Sequence, residues 1–229
     1  MKATYFFSFR SPYSWIASLQ LKKLIEKGDE LELVPFFEPD AISQKLLSQR
    51  GGEFPYRVMS DAKHRYILKD IRRLTTKMGI EHKWPVDPAP WWEPSHLGYL
   101  KAKELGFSIP YFWEVYKARW HDEINISLPE SIFRICIQAG IDEQNSKLIA
   151  AASDDDNIRA QGAESLYRIY REDIFGVPMF VKKRQQYWGI DRLSDFLSFI
   201  GHETTLDNLD TKTDEHEHPL EFDHAGGCG

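Results

Sequence analysis

The chain has 229 residues and a mass of 26.8 kDa, a length typical of one or two domains. Hydrophobic residues make up 42% and aromatic residues 14%, and this much apolar surface excludes a wholly disordered chain. No apolar run reaches the roughly 18 residues that cross a bilayer, so we expect no membrane span. The net charge is −6, and residues 202–229 hold eight acidic residues and one lysine. Residues 1–201 are therefore near neutral and give no electrostatic support for nucleic-acid binding.

Cysteine usage indicates the redox setting. Cys136 and Cys228 are the two cysteines, and they form no CxxC pair. The N-terminal segment also lacks the apolar stretch and cleavage site of a secretory signal. Both features favour a reducing, cytoplasmic protein. Cys136 lies in an apolar helical run, which predicts a buried, unreactive thiol, whereas Cys228 lies in the acidic segment 202–229, which we expect to be a flexible tail.

A strand–helix–strand unit opens the chain. Residues 3–9 are aromatic and β-branched, as in a buried strand. Ser11 and Pro12 are typical of a helix start, and Gly28 of its end. Residues 31–37 then predict a second strand, parallel to the first through a right-handed crossover.

A long helical stretch follows, and strands return only near the end. The pattern predicts helices at about 56–78, 94–105, 110–121, 129–139, 143–152 and 155–171. Residues 178–188 predict a β-hairpin, after which Asp191 opens a last helix over 192–200. The fold class is therefore α/β, with a four-stranded sheet. We predict a sheet domain from residues 1–40 and 173–201, a helical insertion over 41–172 and the tail at 202–229.

Ser11 is the first candidate for chemistry. A side chain at a helix N-cap lies beside unpaired backbone N–H groups at the positive end of the helix dipole, which stabilises an anion such as a thiolate. The alternative is that Ser11 only caps the helix. The second candidate is Val177-Pro178 before the third strand, where a cis bond would leave the Val177 backbone able to pair with an extended ligand. An ordinary trans proline is the alternative.

Three segments carry a family resemblance: FFSFRSPYSW near the start, then GVPMFV, then YWGIDRL. In this order, and with the strand order above, the chain resembles a thioredoxin-like fold with a large all-helical insertion, as in the disulfide-bond-forming DsbA family. More specifically, it resembles the 2-hydroxychromene-2-carboxylate isomerases and the related kappa-class glutathione transferases. In that family a serine replaces the first cysteine of the thioredoxin-like active site. The resemblance covers about residues 3–201.

The resemblance implies glutathione as the cofactor and assigns roles to individual residues. Ser11 matches the catalytic serine, and a hydrogen bond from it to the glutathione sulfur would favour the thiolate. The matching glutathione-binding positions are Lys63, Val177, Pro178, Ile190 and Asp191. Lys63 could also be an ordinary surface lysine, and Asp191 an ordinary helix cap. No metal is implied, and a homodimer is left open.

The resemblance is incomplete in two places. The family often has aspartate in its first strand where this chain has Ser8, and its isomerases usually carry an Asn-Ser pair where this chain reads Trp92-Glu93-Pro94-Ser95. That asparagine contacts the aromatic substrate, so its absence leaves the substrate open. Aromatic residues of the insertion could line a substrate pocket or simply pack between helices. They are Trp84, Trp91, Trp92, Trp113, Trp120 and Tyr111.

We therefore expect a glutathione-dependent isomerase that acts on a small unsaturated aromatic compound. A kappa-like glutathione transferase, which would consume glutathione, is the alternative from the same site. A thiol–disulfide oxidoreductase has the same fold, but exchange needs cysteines where this chain has Ser11 and Ser14. A binding module without turnover is the remaining hypothesis.

Overall fold

The computed structural model describes residues 2–55 and 59–202. Its centre is a four-stranded sheet in the order β2-β1-β3-β4. The strands are β1 (Ala3–Phe7), β2 (Leu31–Pro35), β3 (Met179–Lys182) and β4 (Gln185–Trp188). β1 pairs parallel with β2 and antiparallel with β3, which pairs antiparallel with β4. The α/β class and the predicted strand order are confirmed.

The crossover between β1 and β2 is two helices rather than the single predicted one. They are α1 (Pro12–Gln20) and α2 (Lys22–Lys27), separated at Leu21. Gly28 ends α2 with φ +71°, a left-handed conformation that glycine adopts without a steric penalty. Both predicted strands are also two residues too long, because the chain leaves the sheet after Phe7 and Pro35.

Seven helices form the described part of the insertion. They are α3 (Ala41–Gln49), α4 (Asp61–Lys77), α5 (Glu93–Glu104), α6 (Ser108–Trp120), α7 (Pro129–Gln138), α8 (Glu143–Ala150) and α9 (Asp156–Arg171). α3 was not predicted. The predicted start of α4, residue 56, lies outside the described residues. The helix begins at Asp61, because the Ser60 Oγ accepts a hydrogen bond from the Lys63 N–H and caps it there. The other five predicted helices are confirmed.

A single apolar core joins the sheet to the insertion. Phe7 of β1 packs edge-to-face against Tyr99 of α5 and Phe112 of α6, with ring centroids 5.2 and 4.9 Å apart. Phe9 makes a similar contact with Tyr116 of α6 at 5.0 Å. Aromatic pairs in this geometry add to the gain from burial alone. The insertion is thus packed onto the end of β1, while the domain boundaries given above stay a prediction.

The C-terminal helix differs from the prediction at its start. A 3₁₀ turn occupies Ile190–Arg192, and α10 runs from Leu193 to Ile200 before Gly201 ends it. Asp191 therefore lies inside the turn and does not cap the helix. Within the described ranges, no helix has the length and apolarity needed to cross a membrane. The predicted acidic tail, apart from His202, lies outside the described residues.

Candidate functional site

Ser11 caps α1 as the sequence predicted. Its backbone is extended (φ −82°, ψ 118°), and its Oγ accepts a hydrogen bond from the Ser14 N–H at 3.2 Å. Pro12 follows at the first helical position. Among the described residues the Ser11 hydroxyl has no acceptor for its own proton, so it remains available as a donor. No part of Ser11 is exposed, however, so a ligand can reach the hydroxyl only after a covering group shifts.

The sheet brings the proline turn to the same end as Ser11. Because β1 and β3 are antiparallel and Phe6 pairs with Met179, the chain leaving β1 meets the chain entering β3. The Val177–Pro178 bond there is cis, as predicted. The Gly189 N–H donates to the Pro178 carbonyl at 2.9 Å, which ties the end of the hairpin to this turn.

The predicted glutathione-binding residues differ in how far they are exposed. Val177 and Pro178 are buried, Ile190 is half-buried and Asp191 is exposed. The 3₁₀ turn that holds Ile190 and Asp191 packs against α1, the helix that Ser11 caps. Lys63 is exposed on the first turn of α4, which also packs against α1. The fold thus places Val177 and Pro178 at the end of the sheet where β1 finishes, Ile190 and Asp191 in a turn against α1, and Lys63 at the surface of a neighbouring helix.

His96 of α5 is a residue that the sequence did not single out. Its Nε2 lies 3.1 Å from both the Ser8 Oγ and the Phe9 backbone nitrogen. Because an N–H can only donate, Nε2 accepts, and the ring proton sits on Nδ1, 2.7 Å from the Trp92 carbonyl. Complete burial lowers the pKa of His96 to about 3, so the ring is neutral near pH 7.

Two further side chains of α6 bond the same loop. The Tyr116 hydroxyl donates to the Ser8 carbonyl at 3.1 Å, and the Trp120 Nε1–H donates to the Phe9 carbonyl at 3.2 Å. The Ser8 N–H donates to the Ser14 Oγ at 3.3 Å within α1. Every backbone hydrogen-bonding group of Ser8 and Phe9 is thereby paired, as buried groups require.

Two arginines lie over the ring of Trp92, and each also pairs with a carboxylate. The Arg10 guanidinium lies 5.1 Å from the Trp92 ring centroid, and Arg119 lies at the same distance from that ring. Arg119 pairs with Asp87 through two bonds of 2.9 and 2.7 Å, both partners being buried. Arg10 pairs with Glu38 at 3.0 Å. Cation–π contacts of this kind hold an arginine in a fixed position.

The structure shows packing for five of the six aromatic residues named in the insertion. Trp92, Trp120 and Tyr111 lie in the core, and the half-buried Trp84 and Trp113 pack against it. Trp120 stacks on Trp15 of α1 with centroids 5.7 Å apart, and Trp84 meets it edge-on at 5.6 Å. A substrate pocket lined by the half-buried Trp84, Trp91 and Trp113 stays a prediction.

Cys136 is the sole cysteine within the described residues, and it is buried. Burial raises the pKa of its thiol to about 12, so it carries no thiolate at neutral pH. The predicted inert thiol is confirmed, and Ser11 has no described sulfur beside it for disulfide exchange.

Solved structures with the same architecture come from two kinds of enzyme. A 2-hydroxychromene-2-carboxylate isomerase superposes with a TM-score of 0.64 at 21% identity, over 88% of this chain and 95% of that one. The cytosolic disulfide reductase DsbM from Pseudomonas aeruginosa, determined with GSH, gives 0.58 at 16% identity, over 87% and 97%. A probable DsbA oxidoreductase from Streptomyces coelicolor gives 0.61 at 16% identity, over 93% and 95%. At these identities the likeness shows the fold.

Among curated proteins, none matches this chain in sequence. A family model describes a wider range of homologues, and the model of the DSBA-like thioredoxin domain matches residues 3–201. That match spans the sheet, the insertion and α10. The chain therefore belongs to the family of DSBA-like thioredoxin domains.

Proposed function

We propose that the protein is a glutathione-dependent isomerase of a small unsaturated aromatic compound, similar to the 2-hydroxychromene-2-carboxylate isomerases. The observation that carries the proposal is the Ser11 hydroxyl, which caps α1 and has an unused proton at the end of the sheet where Val177 and Pro178 lie. The isomerase and the GSH-containing reductase among the structural neighbours support it.

The residues present fit glutathione chemically. The Ser11 O–H can donate to a sulfur, and the positive end of α1 favours its anionic form. The Val177 backbone can pair with the cysteinyl unit of a peptide, and the exposed Asp191 carboxylate can accept bonds from an ammonium group. Lys63 is free to move toward a carboxylate because it lies at the surface.

The chain's own contribution would be binding and electrostatic stabilisation. Bound glutathione would supply a thiolate whose reversible addition to an electrophilic carbon turns a double bond into a rotatable single bond. Ser11 would hold the sulfur in its anionic form before addition and again after release, because a hydrogen bond from the Ser11 hydroxyl to the sulfur favours the charged state. Since Ser11 is buried in this structure, binding would also require a covering group to move aside.

A titration of glutathione against the Ser11→Ala variant tests the proposal. We expect wild-type protein to bind glutathione in calorimetry and to lower its thiol pKa, measured by the ultraviolet absorbance of the thiolate. Ser11→Ala should raise that pKa and slow turnover more than it weakens binding. Ser18→Ala is the matched control, because Ser18 is a buried serine on the same helix that bonds Tyr5 and the Ser14 carbonyl. Absence of glutathione binding by wild-type protein would refute the proposal.

A kappa-like glutathione transferase is the second candidate, since the glutathione site would be the same. The two differ in stoichiometry, because a transferase consumes one glutathione per product and an isomerase regenerates it. Mass spectrometry of products from a panel of electrophiles separates them. Thiol–disulfide exchange is disfavoured by serine at positions 11 and 14 and by the buried Cys136. Turnover in an insulin-reduction assay would reverse that preference.

A further inference from the structure

The loop that carries Ser11 is held by side chains from distant parts of the chain. His96 lies 87 and 88 positions from its partners Phe9 and Ser8, and Tyr116 lies 108 from Ser8. Ser8 and Phe9 are buried, as are His96 and Tyr116, so these hydrogen bonds are shielded from competition with water. The insertion therefore helps to fix this part of the loop, together with the bond from the Ser8 N–H to Ser14 of α1.

Ser8 is joined to Ser11 and to the first turn of α1 by hydrogen bonds. The Ser11 N–H donates to the Ser8 carbonyl at 3.1 Å, and the Ser8 N–H donates to the Ser14 Oγ in the first turn of α1. A shift of Ser8 would thus move both the N-cap and the first helical turn. Among the described residues, the His96 ring nitrogen is the acceptor that the Phe9 N–H uses.

We propose that His96 is a positioning residue for Ser11: its Nε2 anchors the Ser8–Phe9 segment so that the Ser11 hydroxyl is held where a bound thiolate needs it. The proposal rests on the function proposed above and deepens it. His96 does not touch the ligand in this scheme. It acts as a neutral hydrogen-bond acceptor, with its ring fixed by the Trp92 carbonyl and by stacking on Phe37 at 5.3 Å.

Two substitutions separate the acceptor from the volume of the ring. His96→Leu fills a similar space but offers no acceptor, so the Phe9 N–H would be unpaired and the loop free to shift. His96→Gln can place an amide oxygen near the position of Nε2 and so retain the anchor. Tyr116→Phe removes a second bond to the same loop without removing volume, and it carries the test if His96→Leu does not fold.

The readouts are the thiol pKa of bound glutathione and the separate values of kcat and KM. For His96→Leu, or for Tyr116→Phe in its place, we expect the thiol pKa to rise by about one unit. We expect kcat to fall about tenfold or more, with KM for glutathione changed less than about threefold, since small misplacement of a catalytic group is costly. His96→Gln should restore most of the wild-type thiol pKa and most of the wild-type kcat. A loss of stability alone would move neither the thiol pKa nor the ratio of kcat to KM in this way.

The control is Ile149→Ala, which opens a cavity where α8 packs near Gly98 of α5 but removes no hydrogen bond to the Ser11 loop. If His96→Leu matches Ile149→Ala in thiol pKa and kcat while wild-type protein binds glutathione, the positioning role is wrong and the proposed function stands. If wild-type protein binds no glutathione, both are wrong.

Discussion

Glu93, at the first position of α5, should make the protein less stable as the pH rises through neutrality. The residue is fully buried. Its Oε1 accepts a hydrogen bond from the Asp40 N–H at 2.6 Å, but its Oε2 has no partner within the described part of the chain. Burial, reinforced by the nearby Asp40 carboxylate, raises the pKa of Glu93 to about 7.

The direction in which stability changes with pH follows from proton linkage. Between the unfolded value near 4.5 and the folded value near 7, the native state binds more protons at this site than the unfolded chain. The free energy of unfolding therefore falls as the pH rises through that window. At about 1.4 kcal/mol per pKa unit, the loss attributable to Glu93 between pH 5 and pH 8 is roughly 2.5 kcal/mol.

Glu93→Gln removes this ionisation while keeping the oxygen that accepts from Asp40. We expect the variant to resemble wild-type protein in stability near pH 5 and to exceed it by about 2–3 kcal/mol near pH 8. Urea unfolding at both pH values gives the four free energies required. Glu143→Gln is the control, because Glu143 is exposed and its carboxylate pairs with Lys147 at the surface. If the pH 5 to pH 8 difference is the same for Glu93→Gln and wild type, the argument from burial is wrong.

Three other outcomes follow from the geometry of α1 and the insertion. Replacing both Ser11 and Ser14 by cysteine should create a redox-active pair at a helix N-terminus, detected as insulin-reducing activity; its absence would show that the buried site excludes disulfides. Gly98→Ala should destabilise the protein by about 1–3 kcal/mol in thermal or urea unfolding, because the new Cβ would collide with the Tyr111 hydroxyl. The Phe9 amide should exchange with deuterium only when the insertion opens, so protection no greater than that of chain ends would contradict its bond to α5.

Local patterns predict this architecture well where each element is strongly apolar. The strand run at residues 3–9 and the hairpin near Pro178 have few alternatives. The five correctly predicted helices each bury an apolar face, and α8 and α9 are also capped by aspartates. α3 was missed because its nine residues, AISQKLLSQ, bury only Ser43 and Leu47 and so show little apolar periodicity. The apolar residues before Ser60 favour an earlier start for α4, but the Ser60 cap sets its first residue at Asp61.

The residues of the candidate site likewise include some that local sequence motifs predict and one that they do not. Ser11 and Pro178 belong to short motifs whose local geometry is encoded by neighbouring residues, and the structure confirms the cap and the cis bond. His96 could not be found from its neighbours, because its partners lie almost ninety positions away in the chain. The available signal was a histidine within the buried run Ser95–Leu100, where a polar ring needs partners. The identity of those partners depends on how α5 packs on the end of β1.

The end of β1 thus depends on the insertion for its hydrogen bonds as well as for its apolar contacts. His96, Tyr116 and Trp120 pair one backbone N–H and two carbonyls of Ser8 and Phe9. A buried backbone group without a partner costs about 1–3 kcal/mol, so the loop is unfavourable in this conformation unless α5 and α6 are docked. The sheet holds β1 through its ladder with β2 and β3, whereas the segment between β1 and the Ser11 cap also bonds to the insertion. We therefore expect sequence changes in α5 or α6 to shift this segment without altering the residues that would touch a ligand.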